Sequence, residues 1–126
     1  MVGPMIREMA ELVFVYGTLK RGLALAREMR RARGKLLGLA TIRGNLYDLG
    51  PYPAAVPGRG TIHGELYAVP EPGLAHLDRV EGRGYRRRLV TALGLDGWKR
   101  KAWVYFYRRR PAHAPRLPEG RYAGEE

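Results

Sequence analysis

The sequence predicts an α+β fold: a small, mixed and strongly curved, barrel-like β-sheet with about two helices. Three observations lead to this prediction. Extended segments rich in alternating or β-branched apolar residues outnumber helical ones. Many of the 17 glycines stand at the ends of these segments, a pattern typical of sheets that bend sharply or close. Only two stretches read as helices.

The chain of 126 residues is long enough for one core and too short for two. We divide it into an N-terminal extension of residues 1–11, a domain of residues 12–110 and a C-terminal tail of residues 111–126. No apolar run approaches the roughly 20 residues that span a bilayer, and the N-terminus lacks the features of a secretory signal. We therefore expect a cytoplasmic protein that does not enter a membrane.

The first half of the domain is predicted to contain a strand, a helix and a long extended segment. Residues 12–16 are mainly apolar and β-branched or aromatic, which favours a strand. Residues 23–32 are good helix formers without an internal glycine or proline. Gly34 is expected to end this helix. Residues 35–47 are expected to be mostly extended, with interruptions at two glycines.

The second half begins with residues 48–60, which are dense in glycine and proline and are predicted to form a loop. Residues 61–69 alternate well enough for a strand. Residues 70–80 are predicted to be a short helix with a proline in its first turn, where proline is tolerated. Residues 85–93 and 98–107 are predicted to be two strands joined by an Asp-Gly turn.

Composition excludes several kinds of site. The chain has no cysteine, which rules out disulfides, a thiolate nucleophile and cysteine-ligated metals. None of the three histidines has a second histidine at helical or hairpin spacing, so we expect no metal site. The arginine-rich, cysteine-free composition with nine prolines is also typical of a thermophile.

The formal net charge is +11, and most of the excess lies in residues 20–43 and 83–110. Such an imbalance is compatible with a nucleic-acid partner, an anionic substrate or a solubilising surface. No recognised nucleic-acid-binding motif accompanies the charge. A solvated basic face is therefore the main interpretation, and nucleic-acid binding remains an alternative.

The first candidate site follows the first predicted strand, at Tyr16, Gly17, Thr18 and Leu19. A glycine at the end of a strand allows the backbone to approach a ligand closely. Consecutive amides leaving the strand can bind a carboxylate or an oxyanion. The same residues are also compatible with an ordinary turn between a strand and a helix, and the spacing alone does not decide.

The second candidate is Glu81, at the end of the second predicted helix, with Gly82 as its cap. The negative end of the helix dipole and burial would both raise the pKa of this carboxyl group. A glutamate shifted in this way is suited to general-base catalysis near neutral pH. Pairing with Arg79 or Arg83 would have the opposite effect, and Asp78, one helical turn earlier, is a competing acid.

Five groups of residues resemble the γ-glutamylcyclotransferase-like proteins, which include γ-glutamylaminecyclotransferases and the AIG2-like group. The resemblance covers residues 13–107 and keeps the chain order. The matching groups are Tyr16-Gly17-Thr18-Leu19-Lys20-Arg21-Gly22; Gly44-Asn45-Leu46-Tyr47-Asp48-Leu49-Gly50 with Tyr52-Pro53-Ala54; Gly64-Glu65-Leu66-Tyr67; Leu77-Asp78-x-x-Glu81-Gly82 with Tyr85-Arg86-Arg87; and Ala102-Trp103-Val104-Tyr105.

The resemblance implies a compact, barrel-like fold with a cavity at one end. It implies that Glu81 is the catalytic acid and base, that Asp78 supports local hydrogen bonding, and that residues 16–19 bind substrate. The implied reaction cyclises a γ-glutamyl amide or peptide to 5-oxoproline and releases the amine, without a metal or cofactor. A non-catalytic member that binds a small anion, or nucleic acid through the basic face, is the alternative.

Three further tyrosines are candidates for the walls of the pocket: Tyr52, Tyr85 and Tyr105. Ordinary sheet packing would explain Tyr85 and Tyr105 equally well. The expected partner is a small γ-glutamyl molecule, and the protein is expected to be a monomer or a homodimer.

Overall fold

The computed structural model describes residues 10–16, 23–50 and 52–122. Within these residues the chain forms two helices and six strands, which confirms the predicted α+β class. The elements are β1 (Ala10–Val15), α1 (Leu23–Arg31), β2 (Lys35–Asp48), β3 (Pro53–Pro70), α2 (Glu71–Glu81), β4 (Tyr85–Gly94), β5 (Lys99–Tyr107) and β6 (Arg116–Leu117).

Five of the strands form a closed barrel in the order β3-β1-β5-β4-β2, with β2 pairing back to β3. The β1–β5 pair is parallel and the other pairs are antiparallel, so the sheet is mixed as predicted. The sixth strand, β6, adds to β2 beyond the point where β2 pairs with β4. β2 therefore pairs with three other strands: β3, β4 and β6.

Because successive side chains of a strand point to opposite faces of the sheet, the apolar residues form two clusters, one inside the barrel and one outside it. On β1, Phe14 points into the barrel, whereas Val13 points outward beneath the helices. The interior cluster includes Leu46, Ile62, Leu66, Val104 and Phe106. The outer cluster joins strand residues to both helices and includes Met29, Tyr67, Val69, Leu74, Leu77 and Tyr105. The helices therefore cover one side of the barrel.

The predicted loop of residues 48–60 is wrong, because β3 begins at Pro53. Glycine and proline are tolerated here because the β2–β3 register shifts, so that residues 57–60 lie opposite the single residue Gly44. The Asn45 Oδ1 accepts a hydrogen bond from the Gly60 amide at 3.0 Å. This bond satisfies a backbone group that the irregular ladder leaves unpaired.

The predicted cap of α1 is wrong by one residue. Arg33, not Gly34, adopts the left-handed conformation, with φ of 64°. The Arg33 amide donates to the Arg30 carbonyl and the Gly34 amide to the Met29 carbonyl, each at 2.9 Å, which is the pattern of a Schellman cap. Gly34 lies against Met29, whose side chain would have to shift to make room for a Cβ at this position.

The second helix ends as predicted. α2 extends to Glu81, and Gly82 caps it with φ of 76° and an amide that donates to the Asp78 carbonyl at 3.2 Å. Against α1, the helix is held by a 2.7 Å contact between His76 Nε2 and Glu28 Oε1. Gly73 lies so close to α1 that a Cβ would overlap the Ala32 carbonyl oxygen.

The β4–β5 hairpin confirms the predicted Asp-Gly turn: Gly97 has φ of 86°, and its amide donates to the Gly94 carbonyl at 2.9 Å. Neither helix in the described part of the chain has the length and apolar character needed to cross a bilayer.

The close contact between the helices makes Gly73→Ala a test of the packing. Alanine favours a helix over glycine by about 1 kcal/mol, but overlap with a backbone carbonyl cannot be relieved by a side-chain rotation. We expect a net loss of about 1 to 3 kcal/mol in the free energy of unfolding, measured by urea denaturation.

Gly84→Ala is the matched control, because no atom lies within 4 Å of the position of its Cβ. Its stability should stay within about 0.5 kcal/mol of wild type. A Gly73→Ala variant as stable as the control would contradict the close packing of α1 on α2.

Candidate active site

Four residues from different elements meet at the end of α2. Glu81 is the last residue of that helix, Tyr16 follows β1, Tyr85 begins β4 and Tyr105 lies in β5. The Glu81 charge contributes to raising the pKa of each of the three tyrosines, as expected of a carboxyl group in their neighbourhood. The fold thus brings together residues up to 89 positions apart in sequence.

Glu81 is the unusual group of this site. Burial raises the pKa of its carboxyl group to about 7. Among the described residues, neither Arg79 nor Arg83 forms an ion pair with it, and no hydrogen-bond donor contacts it. A carboxylate without a partner in a poorly hydrated site is a ready proton acceptor when it is ionised.

Tyr16 forms the inner wall of the site. Its side chain is buried in the barrel interior, and its hydroxyl donates a 2.7 Å hydrogen bond to the Tyr105 carbonyl oxygen. Burial raises the pKa of the phenol well above its usual value, with smaller contributions from Glu81 and Tyr85. A hydrogen bond with the Ala55 backbone acts in the opposite direction. The phenol is therefore neutral at physiological pH.

Tyr85 forms a second wall. Its hydroxyl donates to the Pro53 carbonyl oxygen at 2.9 Å, and its ring lies 5.5 Å from that of Tyr107, centroid to centroid. Burial, followed by the Glu81 charge, raises the pKa of Tyr85 to about 12. The charge of Tyr52 also contributes to raising the pKa of Tyr85, although the Tyr52 side chain is 64% exposed. Tyr52 therefore lies at the rim.

Asp78 is in a different environment from Glu81. Its carboxylate accepts three hydrogen bonds: from the Tyr105 hydroxyl at 2.6 Å, from Arg87 Nε at 2.9 Å and from Arg87 Nη2 at 3.2 Å. The Arg87 guanidinium in turn lies 4.3 Å from the centroid of Trp103. Burial, and then the bond to Asp78, raises the pKa of Tyr105. Asp78 thereby joins the last turn of α2 to the barrel wall.

The structure describes five of the eight predicted site residues. Glu81, Tyr16, Tyr85 and Tyr105 are close together, and Tyr52 lies at the rim. Residues 17–19, the remainder of the predicted substrate loop, lie outside the described residues.

Two neighbours of Tyr85 were not predicted: Tyr107 and Tyr122, which both contribute to raising its pKa. Tyr107 has a detectable signal, since it is two residues beyond Tyr105 and so on the same face of β5. Tyr122 has none, because the tail lacks periodicity.

A surface depression of about 550 Å³ adjoins this region. Tyr107 belongs both to its wall and to the group around Tyr85, whereas Glu81 does not line it. The other walls are the turn after β2 and the segment after β5: Asp48, Leu49, Gly50, Arg110, Pro111, Ala112, His113, Ala114 and Pro115. In the described part of the chain, no group of three or more metal-ligating side chains could hold a metal ion.

Comparisons of the sequence with a family model and with known proteins point to the same family. A family model described as "Gamma-glutamyl cyclotransferase, AIG2-like" matches residues 13–124. The γ-glutamylcyclotransferase family protein YtfP of Escherichia coli K12 is 43% identical over 101 residues, which cover 77% of this chain and 82% of that protein.

Solved structures show the same fold. The solution structure of Escherichia coli ytfP matches with a TM-score of 0.65 and 35% identity, covering 89% of this chain and 96% of that one. The crystal structure of an AIG2-like protein from Mus musculus matches with a TM-score of 0.71 and 26% identity, covering 93% of this chain and 97% of that one.

The burial of Glu81 predicts a pH-dependent effect on stability. Its pKa is about 7 in the folded protein against an ordinary value of 4.5, so the folded state binds the proton more tightly than the unfolded chain. The resulting stabilisation is complete below about pH 4.5 and is lost as the pH rises through 7. Glu81→Gln should therefore gain stability relative to wild type between pH 5 and 8.5, by on the order of 2 to 3 kcal/mol.

Urea denaturation of both proteins across this pH range measures the difference. Glu119→Gln, at an exposed position of the C-terminal segment, is the control and should show no such trend. A constant difference between Glu81→Gln and wild type at all pH values would mean that Glu81 is not buried as described.

Proposed function

The chain belongs to the γ-glutamyl cyclotransferase, AIG2-like family, and on this premise we propose that it cyclises a γ-glutamyl amide or peptide to 5-oxoproline. The observation that carries the proposal is Glu81, a partly buried carboxyl group without a partner among the described residues and with a pKa of about 7. Its charge acts on the pKa of three tyrosines, Tyr16, Tyr85 and Tyr105.

The reaction is an intramolecular acyl transfer. The α-amine of the glutamyl group attacks its own γ-carbonyl carbon, and a new C–N bond closes a five-membered lactam. The bond between the γ-carbon and the nitrogen of the departing amine then breaks. Because nucleophile and electrophile belong to one molecule, the main tasks of the enzyme are to hold a bent conformer and to move protons.

Glu81 is suited to both proton transfers. At neutral pH a substantial fraction of a carboxyl group with a pKa of about 7 is ionised, and the carboxylate can take a proton from the substrate α-ammonium group. The resulting carboxylic acid can then give that proton to the departing nitrogen. A general base or acid works best when its pKa lies near the operating pH.

The tyrosines act mainly as walls in this proposal. The hydroxyl protons of Tyr16, Tyr85 and Tyr105 are each donated within the protein, to the Tyr105 carbonyl, the Pro53 carbonyl and Asp78 respectively. Their rings exclude water from Glu81 and so maintain its raised pKa. We assign the amides of residues 17–19 to the substrate carboxylate or to the oxyanion that forms during attack.

The competing acid, Asp78, is a poor candidate for the base. Its carboxylate already accepts three hydrogen bonds, two of them from an arginine, so its oxygens are engaged within the protein. These contacts fix α2 relative to β4 and β5.

Paired substitutions test the assignment. Glu81→Gln should lower kcat by about 10²- to 10⁴-fold, because the proton acceptor is lost while the shape of the side chain is kept. Asp78→Asn should retain at least about a tenth of the wild-type kcat, since asparagine still accepts the bond from Tyr105. Release of 5-oxoproline from a panel of γ-glutamyl amines and peptides, measured by chromatography, is the assay.

The pH profile provides a second measurement. In the wild type, kcat/KM should rise with pH and level off above about pH 7, as Glu81 ionises. Wild-type activity in Glu81→Gln would remove Glu81 from the mechanism. Complete loss in a folded Asp78→Asn variant would transfer the role of base to Asp78.

A further inference from the structure

The C-terminal segment enters the barrel beside the proposed active site. The Tyr122 side chain is 8% exposed and belongs to the same interior cluster as Tyr16. Its phenol also lies close enough to Tyr85 to contribute to that residue's raised pKa. A residue only four positions before the last one therefore lies in the neighbourhood of Tyr85.

The path of the segment is strongly constrained. β6 pairs with β2, with Leu117 opposite Leu46. The Gly120 carbonyl then accepts a 2.9 Å hydrogen bond from the His63 amide of β3. Gly120 has φ of 71°, and a Cβ there would overlap the Thr61 carbonyl oxygen. Only glycine fits at this crossing, and the crossing directs Tyr122 inward.

The Tyr122 hydroxyl donates a 3.1 Å hydrogen bond to the Gly50 carbonyl oxygen. Gly50 belongs to the turn between β2 and β3, in which Asp48 Oδ1 accepts a bond from the Gly50 amide at 2.8 Å. The Leu49 amide donates to the Tyr52 carbonyl of the same turn at 2.9 Å. The chain then continues to Pro53, whose carbonyl oxygen holds the Tyr85 hydroxyl.

We propose that Tyr122 is a positioning residue of the active site, whose hydroxyl fixes the β2–β3 turn and thereby the wall formed by Tyr52 and Tyr85. The inference rests on the proposed function. It assigns the C-terminal segment to the site itself: the segment supplies no reacting atom, but it holds the turn that leads to Tyr52 and to the Pro53 carbonyl.

The test is Tyr122→Phe, which keeps the buried ring and removes the hydroxyl that donates to the Gly50 carbonyl. Loss of one such bond should raise KM about three- to tenfold. The kcat should stay within about twofold of wild type, because the substitution removes no group that takes part in proton transfer. Destabilisation alone would act differently: it would reduce the folded fraction, lower the apparent kcat and leave KM unchanged.

Tyr47→Phe is the matched control. Tyr47 is a partly buried tyrosine of β2 whose hydroxyl donates no hydrogen bond to a described residue, so its removal should leave both KM and kcat unchanged. A Tyr122→Phe variant with the KM of wild type, or an equal rise of KM in both variants, would overturn the inference.

A binding measurement tests the role of Tyr122 independently of the proposed function. Calorimetric titration of γ-glutamyl-alanine into Glu81→Gln and into Glu81→Gln/Tyr122→Phe measures affinity without turnover. A weaker Kd in the double variant supports the role of Tyr122 even if the wild type releases no 5-oxoproline, an outcome that would overturn only the function. Equal Kd values, or no binding by either protein, would overturn the inference itself.

Discussion

The arrangement of the site depends on the three hydrogen bonds to the Asp78 carboxylate. They fasten the last turn of α2 to two strands, through Arg87 of β4 and Tyr105 of β5. The Tyr105 backbone carbonyl also accepts the bond from Tyr16, so one residue of β5 contacts the helix by its side chain and β1 by its main chain. These polar contacts act together with the packing of Leu74 and Leu77 of α2 against the barrel wall, and both hold the end of α2 in place.

Asp78 and Glu81 are similar side chains that the structure places in different environments. They lie one turn apart in the same helix, yet one carboxylate accepts hydrogen bonds from an arginine and a tyrosine, and the other is partly buried near phenols and has no partner among the described residues. Burial favours the protonated form of Glu81 and raises its pKa to about 7. Burying the Glu81 carboxyl group lowers the free energy of unfolding at neutral pH. The many other contacts within the barrel and between the helices offset this loss.

Much of the architecture was predictable from local pattern. The strands of the β4–β5 hairpin, the turn between them and the end of α2 at Gly82 follow from alternation and from a glycine at a left-handed position. The prediction was wrong for residues 53–60, because glycine and proline usually interrupt strands and the sequence contains no sign of the register shift opposite Gly44. α1 ends with Arg33 in the left-handed conformation and Gly34 one residue later, a cap whose hydrogen bonds local pattern did not specify.

The sequence by itself determined the fold class, the family resemblance and the choice of Glu81, because these depend on residue types and their order. Tertiary structure alone decided the surroundings of the carboxyl groups: the pairing of Asp78 with Arg87, nine residues later, and the partial burial of Glu81. It alone also placed the Tyr122 hydroxyl against the Gly50 carbonyl and its phenol near Tyr85, after β6 pairs antiparallel with β2. A pKa and a hydrogen bond depend on what surrounds a group in space, which spacing along the chain does not specify.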